Sequence, residues 1–241
     1  MQFSIWLRGS LIATVVCLVT ACGGNPRTSE QDAILKRVAV LSLLNEEAQI
    51  LRTGLTVFNN DSATVDLRGR ANADAVSVVQ IRLRSNRPDW TLVEVQPDRE
   101  RLLEKLRKRS WNGGVSAITE DLAAIAKAER ADSVFVIAPA RFEREPIVGL
   151  GVWLRSLSGS TPASVAVYAT VVVYMVDKNG ETIANRTGGD NFVSYARTSE
   201  LGITYDLSTV NDPSVQSRVS TALLAQLQSA LTAAMSYLGY K

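Results

Sequence analysis

The distribution of apolar and polar residues predicts mixed strands and helices between residues 34 and 241. Apolar runs rich in β-branched residues predict buried strands, and apolar residues spaced three and four apart predict helices. The predicted strands are Lys36–Leu44, Gln49–Phe58, Trp90–Val95, Asp132–Ala138, Ile147–Arg155, Ser164–Val176, Glu181–Arg186 and an edge strand at Asn191–Ala196. The predicted helices are Ala71–Arg84, Arg99–Arg109, Ala117–Arg130 and a long C-terminal helix after Asp212.

The segment Ser164–Val176 has apolar residues on both faces, which is typical of a central strand. The C-terminal helix has a complete apolar stripe, with Asp212 suited to the N-cap and Pro213 to the first helical position. Gly239 is a suitable stop. The expected fold is therefore a single α/β (α+β) domain, with a mixed sheet, helices packed mainly on one face and a long C-terminal helix.

The first 21 residues have the pattern of a secretory signal. A short start with one charge, Arg8, precedes the apolar run Leu11–Val19. That run is about half of the ~20 residues that a permanent transmembrane helix needs. The residues Val19-Thr20-Ala21-Cys22 resemble the lipobox of bacterial lipoproteins. An ordinary cleaved signal that happens to be followed by a cysteine is the alternative.

The lipobox resemblance implies that Cys22 is acylated and becomes the first residue of the mature chain. Residues 22–33 are polar and rich in turn formers, so we expect a flexible tether between the membrane and the domain at 34–241. Three acyl chains would anchor the protein stably, since each buried methylene contributes about 0.8 kcal/mol. Gly23 replaces the aspartate that retains enterobacterial lipoproteins at the inner membrane, which favours the periplasmic face of the outer membrane.

Composition excludes several kinds of chemistry. Histidine is absent, so Ser-His-Asp and Cys-His catalysis and histidine-containing zinc sites are excluded. The only cysteines are Cys17 and Cys22, one in the signal and one at the lipid site. With 26 Lys and Arg against 24 Asp and Glu, the chain lacks the strong positive field that nucleic-acid binding requires. Of metal sites, composition leaves open only an all-oxygen site for a hard cation. We expect a non-enzymatic protein with no cofactor, no metal and no nucleic acid.

A second resemblance concerns the folded domain. Residues 131–136 read Ala-Asp-Ser-Val-Phe-Val, and residues 174–180 read Tyr-Met-Val-Asp-Lys-Asn-Gly ahead of the final helix. These segments, with the final helix, resemble the α/β domain shared by three groups of proteins: curli-secretion-type lipoproteins, the Tol-system propeller protein (its N-terminal domain) and lipoprotein activators of penicillin-binding proteins. These are patterns of a fold and carry no activity with them.

Two surfaces are candidates for binding. The first is a basic patch on the predicted helix Arg99–Arg109, for which a solvated helix face is the alternative; it comprises Arg101, Lys105, Lys108 and Arg109. The second is the neutral outer face of the C-terminal helix, which we predict to contact a partner; it comprises Gln216, Thr221, Gln228 and Thr232.

The sequence thus predicts a membrane-anchored periplasmic lipoprotein that binds a protein, an envelope polymer or its own copies in cell-envelope assembly or maintenance. One alternative is a self-assembling secretion or transport subunit. Another is a carboxylate-dependent glycan hydrolase, which would need two carboxylates facing each other across one cleft.

Overall fold

The computed structural model describes residues 34–54, 60–108, 111–141, 147–155 and 160–241. The predicted signal, the lipid site Cys22 and the tether 22–33 lie outside these residues, as does Arg109.

The described residues contain nine strands joined in one sheet, five α-helices and three short 3₁₀ segments. The strands are β1 (Arg37–Ser42), β2 (Glu47–Thr53), β3 (Asp61–Asp66), β4 (Thr91–Glu94), β5 (Ser133–Pro139), β6 (Gly149–Arg155), β7 (Ser164–Asp177), β8 (Thr182–Thr187) and β9 (Val193–Arg197). The α-helices are α1 (Arg70–Asn86), α2 (Arg99–Lys108), α3 (Thr119–Glu129), α4 (Thr198–Leu201) and α5 (Pro213–Tyr237). The 3₁₀ segments are Trp111–Ile118, Gly189–Phe192 and Ser208–Asn211.

The long strand β7 organises the sheet because it pairs with four other strands. Along one edge, β5 pairs with the second half of β7 and β6 with the first half, both antiparallel. Thr170 marks the junction, where its hydroxyl donates to the carbonyls of Ala140 and Gly149 at 2.8 and 3.1 Å. Along the other edge, β8 and β9 pair with the same two halves. The prediction that this segment is the central strand is confirmed.

The outer strands complete two half-sheets that share β7. One half continues from β5 to β1 and β4 in parallel, and the other continues from β6 to β2 in parallel and then to β3 in antiparallel pairing. The sheet is therefore mixed, as predicted, and the predicted fold class is confirmed.

Apolar side chains cover both faces of the sheet. The two longest helices, α1 and α5, pack on one face, where alternate residues of β7 such as Val171 and Val173 meet the α5 stripe. On the other face α2 and α3 cover the half formed by β4, β1 and β5, with Leu106 and Leu122 in contact with that core. The helices thus lie mainly, but not wholly, on one side.

Helix α5 begins and ends where its sequence indicates. The Asp212 carboxylate accepts a hydrogen bond from the Ser214 amide at 2.7 Å, which satisfies one of the free amides of the first turn. Gly239 has a φ of 93°, a left-handed conformation that ends helices and suits glycine. Beyond it Tyr240 packs edge-on against Phe135 and Trp90, with ring centroids 5.6 and 5.9 Å apart. The C-terminal residues are thereby fixed to the core.

Strand β3 is an element that the sequence pattern did not predict. The predicted strand Gln49–Phe58 corresponds to β2, which ends at Thr53, and the chain returns as β3 at Asp61. Only Ala63 and Val65 of β3 face the core, and the other positions are polar. An edge strand with so few apolar residues does not stand out from a loop.

Candidate interaction surface

The outward side of α5 carries no charged residue over most of its length. Between Pro213 and Tyr237 the only charged side chain is Arg218, whose Nε donates to the Leu201 carbonyl at 3.2 Å. Five of the exposed positions that follow it define the α5 outer face: Thr221, Ala225, Gln228, Ser229 and Ser236. Tyr237, the last residue of the helix, is exposed as well. A helix face exposed to water usually carries charges, so this composition is unusual.

The structure brings together three of the four residues predicted on this helix. Thr221 and Gln228 are exposed, and Thr232 is half-buried on the same side of α5. Gln216 is not part of this surface, because it lies nine residues from Ala225, about two and a half helical turns away and so on the opposite side. Its amide donates instead to the Val210 carbonyl at 2.8 Å.

A groove between α1 and α5 adjoins the α5 outer face. Its volume is about 380 Å³. Val78 and Ile81 of α1 and Leu224 of α5 contribute apolar surface, and Ile81 is 57% exposed. The charged residues of this groove, Arg70 and Asp74, stand at the start of α1 with their side chains 3.9 Å apart. We call this feature the α1–α5 groove.

A second groove, of about 410 Å³, lies on the other side of the α5 outer face. It is bounded by Asn191, whose carbonyl accepts a hydrogen bond from the buried Gln226 amide at 2.6 Å. A Cβ on Gly188 would lie 2.8 Å from the Ala230 carbonyl oxygen, so the absence of a side chain allows this loop to pack against α5. Gln228 borders both grooves.

Ala225 and Ile81 belong to this surface, and the sequence pattern does not predict either. Alanine is neither polar nor strongly apolar, so Ala225 does not stand out in the sequence. Ile81 falls outside the apolar stripe of α1, and a large apolar residue off the stripe is the signal that would have revealed it.

The three described residues of the predicted basic patch all have acidic neighbours. Arg101 and Lys105 both pair with Asp121 on α3, at 3.0 and 2.6 Å. Lys108 pairs with Glu104 at 2.7 Å. These pairs offset much of the positive charge of the predicted patch. A role for the patch in binding stays a prediction.

A groove of about 850 Å³ separates the β1–β2 turn from α2. Glutamates line both walls, Glu46 on the turn and Glu104 on the helix. Glu46 accepts from the Asn72 amide and lies 3.5 Å from the Arg99 guanidinium. The hydrogen bond from Lys108 lowers the pKa of Glu104.

A glycosidase general acid requires the opposite shift, a raised pKa that keeps the carboxyl protonated at neutral pH. The groove therefore has carboxylates on both walls, and the pKa of Glu104 is shifted in the direction opposite to that of a general acid.

Within the described ranges, no group of three or more His, Cys, Asp or Glu residues is placed to hold a metal ion. Across the same part of the chain, no helix combines the length and the apolar character needed to cross a membrane.

Comparisons with known proteins give only distant similarities. No protein-family model matches this chain, and no curated protein matches it. Among solved structures, a dodecamer of a PelC variant from Paraburkholderia phytofirmans is 13% identical over 86% of this chain and 93% of that chain, with a TM-score of 0.30. The C-terminal domain of LpoB from Salmonella enterica is 12% identical over 78% of this chain and 93% of that chain, with a TM-score of 0.25. These TM-scores are too low to assign a function to this chain.

Proposed function

We propose that this chain is a lipid-anchored, non-enzymatic lipoprotein on the periplasmic face of the outer membrane, which acts in the cell envelope by binding a partner. The anchor is Cys22, on the lipobox resemblance of residues 19–22. The binding surface is the α5 outer face with the α1–α5 groove. The observation that supports this proposal best is that a long, exposed helix face is free of charge and adjoins exposed apolar surface.

The physical reason is the cost of desolvation. Burying a Lys or Glu in an interface removes an ion from water, whereas burying Ser, Thr or Gln removes only neutral groups that can be hydrogen-bonded across the contact. Interface centres are accordingly depleted of Lys and Glu. Thr221 and Gln228 meet this requirement, and Ile81 adds apolar area beside them.

The experiment uses the full chain in its host membranes. Chemical crosslinking followed by pull-down should capture a partner with the wild-type chain and much less of it with the double variant Thr221→Lys/Gln228→Glu. Both positions are exposed, so the variant should unfold at the wild-type temperature. The matched control is Lys127→Gln, a charge change at an exposed residue of α3 on the other side of the sheet, which should leave capture unchanged.

The anchor is tested in the same cells. Cys22→Ser should abolish labelling by palmitate and release the chain from the membrane or leave it unprocessed. Membrane retention of a correctly cleaved Cys22→Ser chain contradicts the lipoprotein proposal. Equal capture by the wild type and the Thr221→Lys/Gln228→Glu variant contradicts the proposed surface.

A further inference from the structure

We infer that the partner on the α5 outer face is a second copy of this chain, placed by a two-fold axis that passes near Ala225. This inference rests on the proposed function, because it names the occupant of the same surface. Ala225 is exposed and stands at the midpoint of the 25-residue helix, with grooves on both sides of it.

The side chains on this face suit a two-fold contact. A residue on a two-fold axis meets its own copy, and a residue close to the axis lies near its own copy, so a charge there would be held near an identical charge. Thr221 and Ser229 stand four residues on either side of Ala225, so each would lie opposite the other across the axis, and both carry a donor and an acceptor with which they can hydrogen-bond. A different protein would impose no such symmetry, and its interface would tolerate charges wherever the partner has the opposite sign.

The α5 outer face alone is smaller than a stable interface. From Thr221 to Ser236 it is about 22 Å long and roughly 10 Å wide with its side chains, or roughly 220 Å². A dimer contact therefore also uses the α1–α5 groove beside it. Stable interfaces bury about 800 Å² on each partner. The loop around Asn191 borders the second groove and would contribute further area.

The shape of the face allows two copies to interlock. In each copy α5 lies between two grooves, of which the α1–α5 groove has the apolar side chains Val78 and Ile81. A second α5 laid along this groove would cover Ile81, which is 57% exposed in a single chain. By symmetry the first α5 then occupies the same groove of the second copy.

The proposed anchor favours this association. Chains attached through Cys22 share one membrane surface, which raises their effective concentration for one another far above that of free chains. A contact of moderate intrinsic affinity is therefore sufficient.

Site-specific disulfide formation tests the inference. The full-length chain with Ala225→Cys is expressed in its host membranes and treated with a mild oxidant. If the axis passes near residue 225, we expect about tenfold more disulfide-linked dimer than for a control cysteine, since the bond requires Cα atoms about 5.5–6 Å apart. The control is Ala124→Cys, an equally small exposed residue on α3, on the opposite side of the sheet. The unmodified chain reports any crosslink through Cys17 or Cys22.

The outcomes separate this inference from the proposed function. Dimer from Ala225→Cys and not from Ala124→Cys supports the second copy, and adding Gln228→Lys should then reduce the yield, because like charges would meet near the axis. Dimer from neither variant, or from both equally, overturns the inference. If palmitate labelling and surface-dependent capture of another molecule persist in that case, the proposed function holds with a different partner. If they fail as well, both are wrong.

Discussion

Replacing Gly151 by alanine should destabilise the protein through a single added methyl group. Gly151 lies on β6, opposite Gln49 on β2 and Tyr168 on β7. A Cβ at this position would lie 2.3 Å from both the Gln49 carbonyl oxygen and the Tyr168 hydroxyl, whereas ordinary contacts begin at 3.4 Å. The tyrosine ring therefore occupies the space above the glycine, and neither neighbour can easily move. Tyr168 is fully buried, and the Gln49 oxygen belongs to a paired strand.

The magnitude follows from these two obstacles. Adding a methyl group to a packed core typically costs about 1–3 kcal/mol. Gly151 faces a backbone atom as well as a ring, and both contacts are more than 1 Å too short, so we expect about 3 kcal/mol or more. For a domain of this size each kcal/mol lowers the melting temperature by about 2–4 °C, which gives about 6–12 °C.

Thermal unfolding by circular dichroism measures this loss, with Gly69→Ala as the control. Gly69 has a φ of 74° and open space where a Cβ would lie, so that variant reports only left-handed backbone strain, about 1–2 kcal/mol. Tyr168→Leu in the Gly151→Ala background should restore part of the stability, because one of the two obstacles is removed. If Gly151→Ala lowers the melting temperature no more than Gly69→Ala does, the close packing of Tyr168 over Gly151 is contradicted.

Two further substitutions test side chains that pack beside β1 and within β5. Asn72→Ala should lower the free energy of unfolding by about 2–4 kcal/mol, because the buried side-chain amide accepts from the Leu44 N–H at 3.0 Å and donates to the Leu44 carbonyl at 2.9 Å. Urea unfolding measures this loss. A loss under about 1 kcal/mol would show that water replaces the side chain. Phe135→Ala should lower the free energy of unfolding by about 3–5 kcal/mol, because the ring is fully buried against Tyr240. Urea unfolding measures this loss as well, and a near-neutral result contradicts the packing of the C-terminus on β5.

The elements that the sequence predicts well are those with long, regular patterns. Strand β7 has apolar residues on both faces over 14 positions, and only a strand covered on both sides requires that. Helix α5 has a complete stripe, a capping Asp212 and a stop at Gly239. For both elements the local preference and the tertiary environment agree, so the prediction and the structure coincide.

The features that the sequence does not predict depend on contacts between distant residues. The pairing of β5 and β6 with successive halves of β7 joins strands far apart in the chain, and at the junction the Thr170 hydroxyl meets both Ala140 and Gly149; no local pattern encodes this arrangement. Gln216 was grouped with Thr221 by residue type, and its position around the helix separates them. The α1–α5 groove is likewise formed by two helices far apart in the chain, so only the fold reveals it.

The two sides of helix α5 have different roles: the side that faces the core stabilises the fold, and the outer side is the proposed binding surface. Leu223 and Leu227 face the core, are almost completely buried and pack with the sheet, so substitutions there act on folding. Ala225, between them in sequence, is exposed. Because outer-face changes remove no core contact, association can be weakened while the free energy of unfolding stays nearly constant. A variant of Gln228 that lost both together would indicate that this face supports the fold of the single chain, and the neutrality of α5 would then need an explanation other than a partner.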